Sequence, residues 1–119
     1  MDDFNSNKLQ QIVELRKKAN RFYLAKSKVF QAFVNMEEIT FRDSALSKKV
    51  KEMIAIGISI VINCESCLEW HIDQAIKSGA TEAEIIEAVE VGIEMSGGPG
   101  TVSARFAMTV LENHYTPDK

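Results

Sequence analysis

The stretch NCESCLEWH holds Cys64, Cys67 and His71, and it uses both cysteines of the chain. Placed on a helix, these three side chains fall at i, i+3 and i+7 and share one face. Cys64 lies in the first turn after Asn63, where unpaired backbone N–H groups and the helix dipole favour thiolate over thiol. A free thiol titrates near pH ~8.5, so activation of this kind decides whether it is nucleophilic at neutral pH. His71, one turn beyond Cys67, is spaced to exchange a proton with it. Two cysteines within one turn can also bond to each other. One attacks, and the other resolves the sulfenic acid or mixed disulfide that results. The spacing reads as a reversible dithiol/disulfide couple. Position at the helix head favours Cys64 as the more acidic thiol, whereas contact with His71 favours Cys67 as the attacking one.

A third group must orient or deprotonate the histidine. Glu52 stands twelve positions before Cys64, in the charged first turns of the preceding helix. If the two helices fold back on each other around Asn63, Glu52 comes level with the histidine end of the motif. Carboxylate, imidazole and thiol would then form a proton relay, Glu52 to His71 to Cys67, directly or through water.

Plainer readings stand beside this one. The cysteines are small hydrophobes that can simply pack in a core. Two cysteines and His71 are also three ligands of suitable type for zinc, but a fourth is missing and His114 is remote in sequence. Haem attachment needs histidine directly after the second cysteine, and Leu68 is there. Glu65 and Glu69 are expected to face solvent, where negative charge so near Cys64 would oppose thiolate formation. Trp70 is expected in core or interface packing. The expected site is thus Glu52, Cys64, Cys67 and His71, with no cofactor and no metal.

The elements that must position these residues are helices. The chain has 119 residues, is 45% hydrophobic and contains only two prolines, which suits one folded domain. A net charge of −3 and a pI of about 5.4 give no nucleic-acid surface. Lys48, Lys49 and Lys51 read as a solvated helix start. The most apolar stretch, MIAIGISIVI (53–62), is about half of the roughly 20 residues a membrane span needs. The start, MDDFNSNKLQ, shows no secretory pattern, so a cytoplasmic location and no membrane partner are expected. In that compartment a close cysteine pair is more often catalytic or metal-binding than structural.

No segment shows strand periodicity with hairpin signals, while helical spacing is widespread. Leu9, Ile12, Val13 and Arg16 make one stripe. A second helix from about Ser27 is expected to bury Val29, Phe30, Phe33 and Val34. Residues 40–46 form a connection, with Asp43, Ser44 and Ser47 as possible N-caps. The third helix, Ser47 to Ile62, becomes apolar all round and needs cover that a lone domain cannot supply, so neighbouring subunits are expected to provide some. Asn63 is expected as a break after the third helix and as the N-cap of a fourth that carries the cysteines to Ser78–Gly79. Thr81 and Glu84, at capping-box spacing, open a fifth with Ile85, Ile86, Val89 and Ile93 inward and Glu82, Glu87, Glu90 and Glu94 outward. SGGPG (96–100) stops it. A sixth carries Val102, Phe106, Val110 and Leu111, and YTPDK frays. The fold class is all-α: a single-domain bundle of about six helices, with its core from about residue 25 to 112.

Glu52, an eleven-residue gap, CESC, three residues and His71 together resemble the active-site signature of the alkylhydroperoxidase D family, within the carboxymuconolactone decarboxylase superfamily. GATEAEIIEAVEV (79–91) is similar to the segment such proteins carry after the motif helix. The resemblance runs from about Val29 to Met108. It implies an all-helical fold assembling into trimers or hexamers. It implies reduction of hydroperoxides, or disulfide exchange, through the cysteine pair, with an external thiol as reductant. By position, Cys67 matches the cysteine that attacks peroxide, Cys64 the resolving one, and Glu52 and His71 the proton relay. One position departs: the best-studied branch has histidine just before the second cysteine, where this chain has Ser66. The expected function is a CxxC-dependent thiol oxidoreductase acting on a hydroperoxide or a disulfide. The alternatives are a decarboxylase of the superfamily's other branch, whose chemistry does not call for a cysteine pair, and a non-enzymatic module that senses redox state or binds a partner.

Overall fold

A computed structural model describes residues 2–115, with side chains from residue 7 onward. Six helices follow in order: α1 (Asp2–Lys26), α2 (Lys28–Thr40), α3 (Lys48–Ile62), α4 (Glu65–Lys77), α5 (Glu82–Ser96) and α6 (Gly98–Tyr115). There is no strand among the described residues, as the sequence pattern requires. Of YTPDK, only Tyr115 lies within the described residues.

α3 is the centre of the bundle, packed against α5, α4 and α6. Ile56 and Ile60 of α3, Leu68 and Ile72 of α4, Ile85 and Val89 of α5, and Ala107 and Val110 of α6 form the closed core. The α3–α5 crossing is close because Gly92 has no side chain: a Cβ there would stand 2.7 Å from the Gly57 carbonyl oxygen and from Ile60 Cβ. α5 starts on the Thr81/Glu84 capping box, with Glu84 N–H donating to Thr81 Oγ1 at 3.1 Å and Thr81 N–H to Glu84 Oε1 at 2.9 Å. α3 starts on Ser47, whose hydroxyl accepts from Val50 N–H, and Asp43 adds a bond from Lys48 N–H at 2.6 Å.

Two expectations need correction. α2 buries no residue: Val29 and Phe33 are exposed, Phe30 and Val34 half-buried. Among the described helices α2 meets only α1, where Phe30 stacks on Tyr23 at 3.9 Å between centroids, and the rest of its apolar stripe is left uncovered by the described residues. The sixth helix carries Val102, Phe106, Val110 and Leu111 as expected, with Val110 and Leu111 in the core, Phe106 half-buried and Val102 exposed. Asn63 does not cap α4. It ends α3 in the left-handed conformation (φ 54°, ψ 51°), which asparagine tolerates better than most side chains. Cys64 N–H then reaches back to the Ser59 carbonyl at 3.1 Å, closing a Schellman-type turn.

Candidate active site

The turn at Asn63 folds α4 back along α3, and Ser103 of α6 pins it by donating from Oγ to Asn63 Oδ1 at 2.8 Å. Cys64 becomes the N-cap of α4, and its sulfur accepts from the Cys67 N–H at 3.2 Å. Sulfur thus takes the place usually filled by a serine or aspartate oxygen. The two cysteines are joined in a disulfide with their Cα atoms 5.2 Å apart. Both are partly exposed, as a couple that meets external partners must be. Ser66, between them, is exposed.

One turn beyond Cys67, His71 meets Glu52 of α3. His71 Nδ1 and Glu52 Oε1 are 2.7 Å apart. The Glu52 side chain is only 2% exposed, and its second oxygen, Oε2, accepts from Lys48 Nζ at 2.7 Å. Burial alone would raise the Glu52 pKa; the His71 and Lys48 hydrogen bonds and their charges outweigh it and hold the carboxyl below its ordinary range. An ionised carboxylate only accepts hydrogen bonds, so Nδ1 carries the hydrogen. Nε2 keeps its lone pair whenever the ring is neutral.

The structure therefore brings together Glu52 and His71 on one side, and Cys64 and Cys67 on the other, with α4 carrying Cys67 and His71 and capped by Cys64. The sequence did not point to Lys48, set aside above as a solvated residue, or to Phe41. Lys48 is four positions before Glu52, the spacing at which helical side chains meet, and that signal was readable. Phe41 was not: its ring stacks on His71 at 5.2 Å between centroids because the α2–α3 connection returns over α4. The Lys48 ammonium sits over the same Phe41 ring at 5.7 Å. A recess of about 400 Å³, lined by Phe41, Lys48, Glu52, Trp70 and Gln74 among others, opens on this side.

Glu69 does not face solvent. It is buried in an ion pair with Arg16 of α1, and the Arg16 guanidinium lies over Trp70 at 5.2 Å. Trp70 itself is about one-third exposed rather than a core residue. α1 is thereby clamped onto the motif helix. Glu65 is exposed. His114 lies 3.9 Å from Asp73, and among the described residues no group of three or more His, Cys, Asp or Glu is placed to hold a metal ion. No described helix is long and apolar enough to cross a membrane.

Residues 27–109 match the model of the carboxymuconolactone decarboxylase family. The chain is 35% identical over 88 residues to the uncharacterized protein 4 of the cox locus of Paracoccus denitrificans, covering 74% of this chain and 79% of that one. It is 28% identical over 101 residues to an uncharacterized protein of Cupriavidus necator, covering 85% and 89%. Among solved structures, a carboxymuconolactone decarboxylase family protein of Legionella pneumophila superposes with a TM-score of 0.81 at 26% identity, over 90% of this chain and 96% of the other. A Thermotoga maritima protein of the same family, with a suggested role in antioxidative response, gives 0.80 at 26% identity, over 87% and 89%. The expected superfamily and all-helical fold are both found, and the chain belongs to the carboxymuconolactone decarboxylase family.

Proposed function

We propose that this protein is a CxxC-dependent thiol oxidoreductase that reduces hydroperoxides, or exchanges disulfides, with Cys67 attacking and Cys64 resolving. The observation that carries the reading is the bonded Cys64–Cys67 pair at the head of α4, on the helix whose His71 is held by buried Glu52. The suggested antioxidative role of the Thermotoga relative supports it.

In the reduced form, His71 Nε2 draws the proton from Cys67. The thiolate attacks the terminal peroxide oxygen, the O–O bond breaks, and the proton goes to the departing alkoxide, leaving an alcohol and a sulfenic acid on Cys67. Cys64 condenses with the sulfenic acid, forming the disulfide and releasing water. An external dithiol returns two electrons and two protons. Glu52 stays ionised throughout; it fixes the tautomer of His71 and stabilises the imidazolium while that carries the proton. Ser66 supplies no second imidazole, so this cycle relies on His71 alone.

Thiol titration of the reduced protein with and without a hydroperoxide tests the reading. Loss of two thiols per chain, restored by a dithiol, is the expected result. Undiminished peroxide consumption by both the Cys64→Ser and Cys67→Ser variants would end it. Turnover of a carboxymuconolactone by the double cysteine variant would instead support decarboxylase chemistry.

The active unit is proposed to be a homo-oligomer, a trimer or hexamer by the family resemblance. An apolar groove of about 780 Å³ runs between α3 and α5, with Ile54, Ile58, Val91 and Met95 exposed along it. α5 contains five glutamates and no basic residue. The α1–α2 arm offers the complement: Val29, Phe33 and Met36 exposed on α2, with Lys17, Lys18, Arg21 and Lys26 exposed on α1. The proposed occupant of this groove is a second copy's arm, apolar surface against apolar surface and basic α1 against acidic α5. Sedimentation equilibrium showing a monomer at micromolar concentration would exclude it.

A further inference from the structure

Lys48 joins the relay by geometry alone, and no part of the cycle above uses it. It is the first residue of α3, fixed there by its own N–H bond to Asp43 Oδ1 at 2.6 Å. One turn on, its Nζ holds Glu52 Oε2 at 2.7 Å while Glu52 Oε1 holds His71 Nδ1 at the same distance. The Phe41 ring closes the group, stacked on His71 and lying under the Lys48 ammonium. Lys48, Glu52, His71 and Phe41 thus form a ring of contacts, each touching two others.

We propose that Lys48 is a positioning residue that sets the basicity of His71 by sharing the buried carboxylate with it. This rests on the reading of His71 as the base for Cys67. A buried carboxylate with imidazole as its sole partner stabilises imidazolium and keeps the ring protonated into the neutral range. A protonated ring cannot take a proton from a thiol. An ammonium on the other oxygen answers part of that negative charge and repels a second cation, so it weakens the hold of the carboxylate on an imidazolium. The contact also locks the carboxylate plane, so Oε1 alone is presented to the ring.

Other charges near the cluster do not substitute for Lys48. Glu37 and Glu38 of α2 and Arg42 and Asp43 of the connection line the recess beside it, and Gln74 is the neutral wall from α4. Elsewhere on α4, Glu69 is engaged by Arg16 and Asp73 by Lys77; on α5, Glu84 is engaged by Lys49. Among the described residues, Lys48 is the cation within 4 Å of the Glu52 carboxylate besides His71 itself.

The test is the titration of the His71 ring followed by NMR in the wild type, Lys48→Met and Lys48→Arg. Lys48→Met is expected to raise the midpoint, and Lys48→Arg to leave it nearly in place. In a Cys64→Ser background, the pH profile for alkylation of Cys67 is expected to move upward with the midpoint. An unchanged His71 midpoint in Lys48→Met, with helix content intact by circular dichroism, would overturn the proposal. A shifted midpoint with an unmoved alkylation profile would keep the Lys48 assignment and instead remove His71 as the base of Cys67. The two failures are therefore separable.

Discussion

α2 and α3 are both amphipathic helices that start on a serine N-cap, yet they end in opposite environments. α3 buries Glu52, Ile56, Ser59 and Ile60 and touches three other helices of the core. α2 buries nothing and touches one helix. Periodicity says which face of a helix is apolar; what covers that face depends on the turns before and after it. The left-handed turn at Asn63 returns α4 across α3, whereas the connection after Thr40 brings Phe41 onto His71 and Asp43 onto the start of α3 and leaves α2 itself outside the core. The chemistry follows the same division, because a carboxylate can be kept ionised and aimed only where it is walled in with its partners.

Breaking the buried polar group in α3 has the largest expected effect on stability. Glu52→Ala leaves the His71 ring and the Lys48 ammonium without their acceptor and a void beneath them. A loss of about 3 kcal/mol is expected in urea unfolding, of the size seen when one member of a buried pair is removed. A loss under about 0.5 kcal/mol, the level typical of surface sites, would show that this end of α3 is as open as α2. Glu52→Gln keeps the shape and loses the charge, so it should cost less stability than Glu52→Ala.

Next in size is Gly92→Ala. The new methyl group would meet the Gly57 carbonyl at 2.7 Å, and a backbone atom of a packed helix cannot swing aside. The expected cost is about 2 kcal/mol, with the α3–α5 spacing widened. The same glycine-to-alanine change at exposed Gly98, where nothing lies within 4 Å of the added atom, serves as the control.

Acid gives a third, graded test. The Glu52 carboxyl is held below its ordinary range in the fold, whereas the unfolded chain titrates near pH ~4.3. The unfolded state therefore takes up the proton first as pH falls. The stabilisation from Glu52 is complete above about pH 5 and is lost as pH drops through the folded-state value. Unfolding free energy measured between pH 6 and 3 should fall less steeply in Glu52→Gln than in wild type. Parallel curves would mean that other carboxylates carry the acid sensitivity.

Much of this architecture was readable beforehand, and the failures share a cause. The six helices, the Thr81/Glu84 cap and the meeting of Glu52 with His71 rest on local spacing plus a single fold-back, and both are encoded in short stretches. Val29 and Phe33 were assigned to a core because their spacing matches that of Ile56 and Ile60, and sequence does not tell a stripe covered by its own chain from one left uncovered. Glu69 was assigned to solvent because a charge beside another charge usually is; its partner, Arg16, lies more than fifty positions away, beyond the reach of any spacing rule. Asn63 breaks the chain where expected but does not cap α4, because asparagine serves both N-caps and left-handed helix ends, and only the Ser59–Cys64 hydrogen bond decides between them.

The smallest expected effect is also the one that bears most on α2. Val29→Ser and Phe33→Ser remove apolar surface that already faces outward, so in a dilute monomeric chain they should change unfolding free energy by no more than about 0.5 kcal/mol. Where the arm of one copy fills the α3–α5 groove of another, the same substitutions should lower the assembly size in sedimentation and make thermal stability depend less on protein concentration. Ile58→Ser, on the groove side of α3, should then reproduce the change in assembly from the opposite surface. If α2 substitutions lower stability at every concentration alike, its stripe is covered within its own chain, and the contrast between the two helices is one of degree.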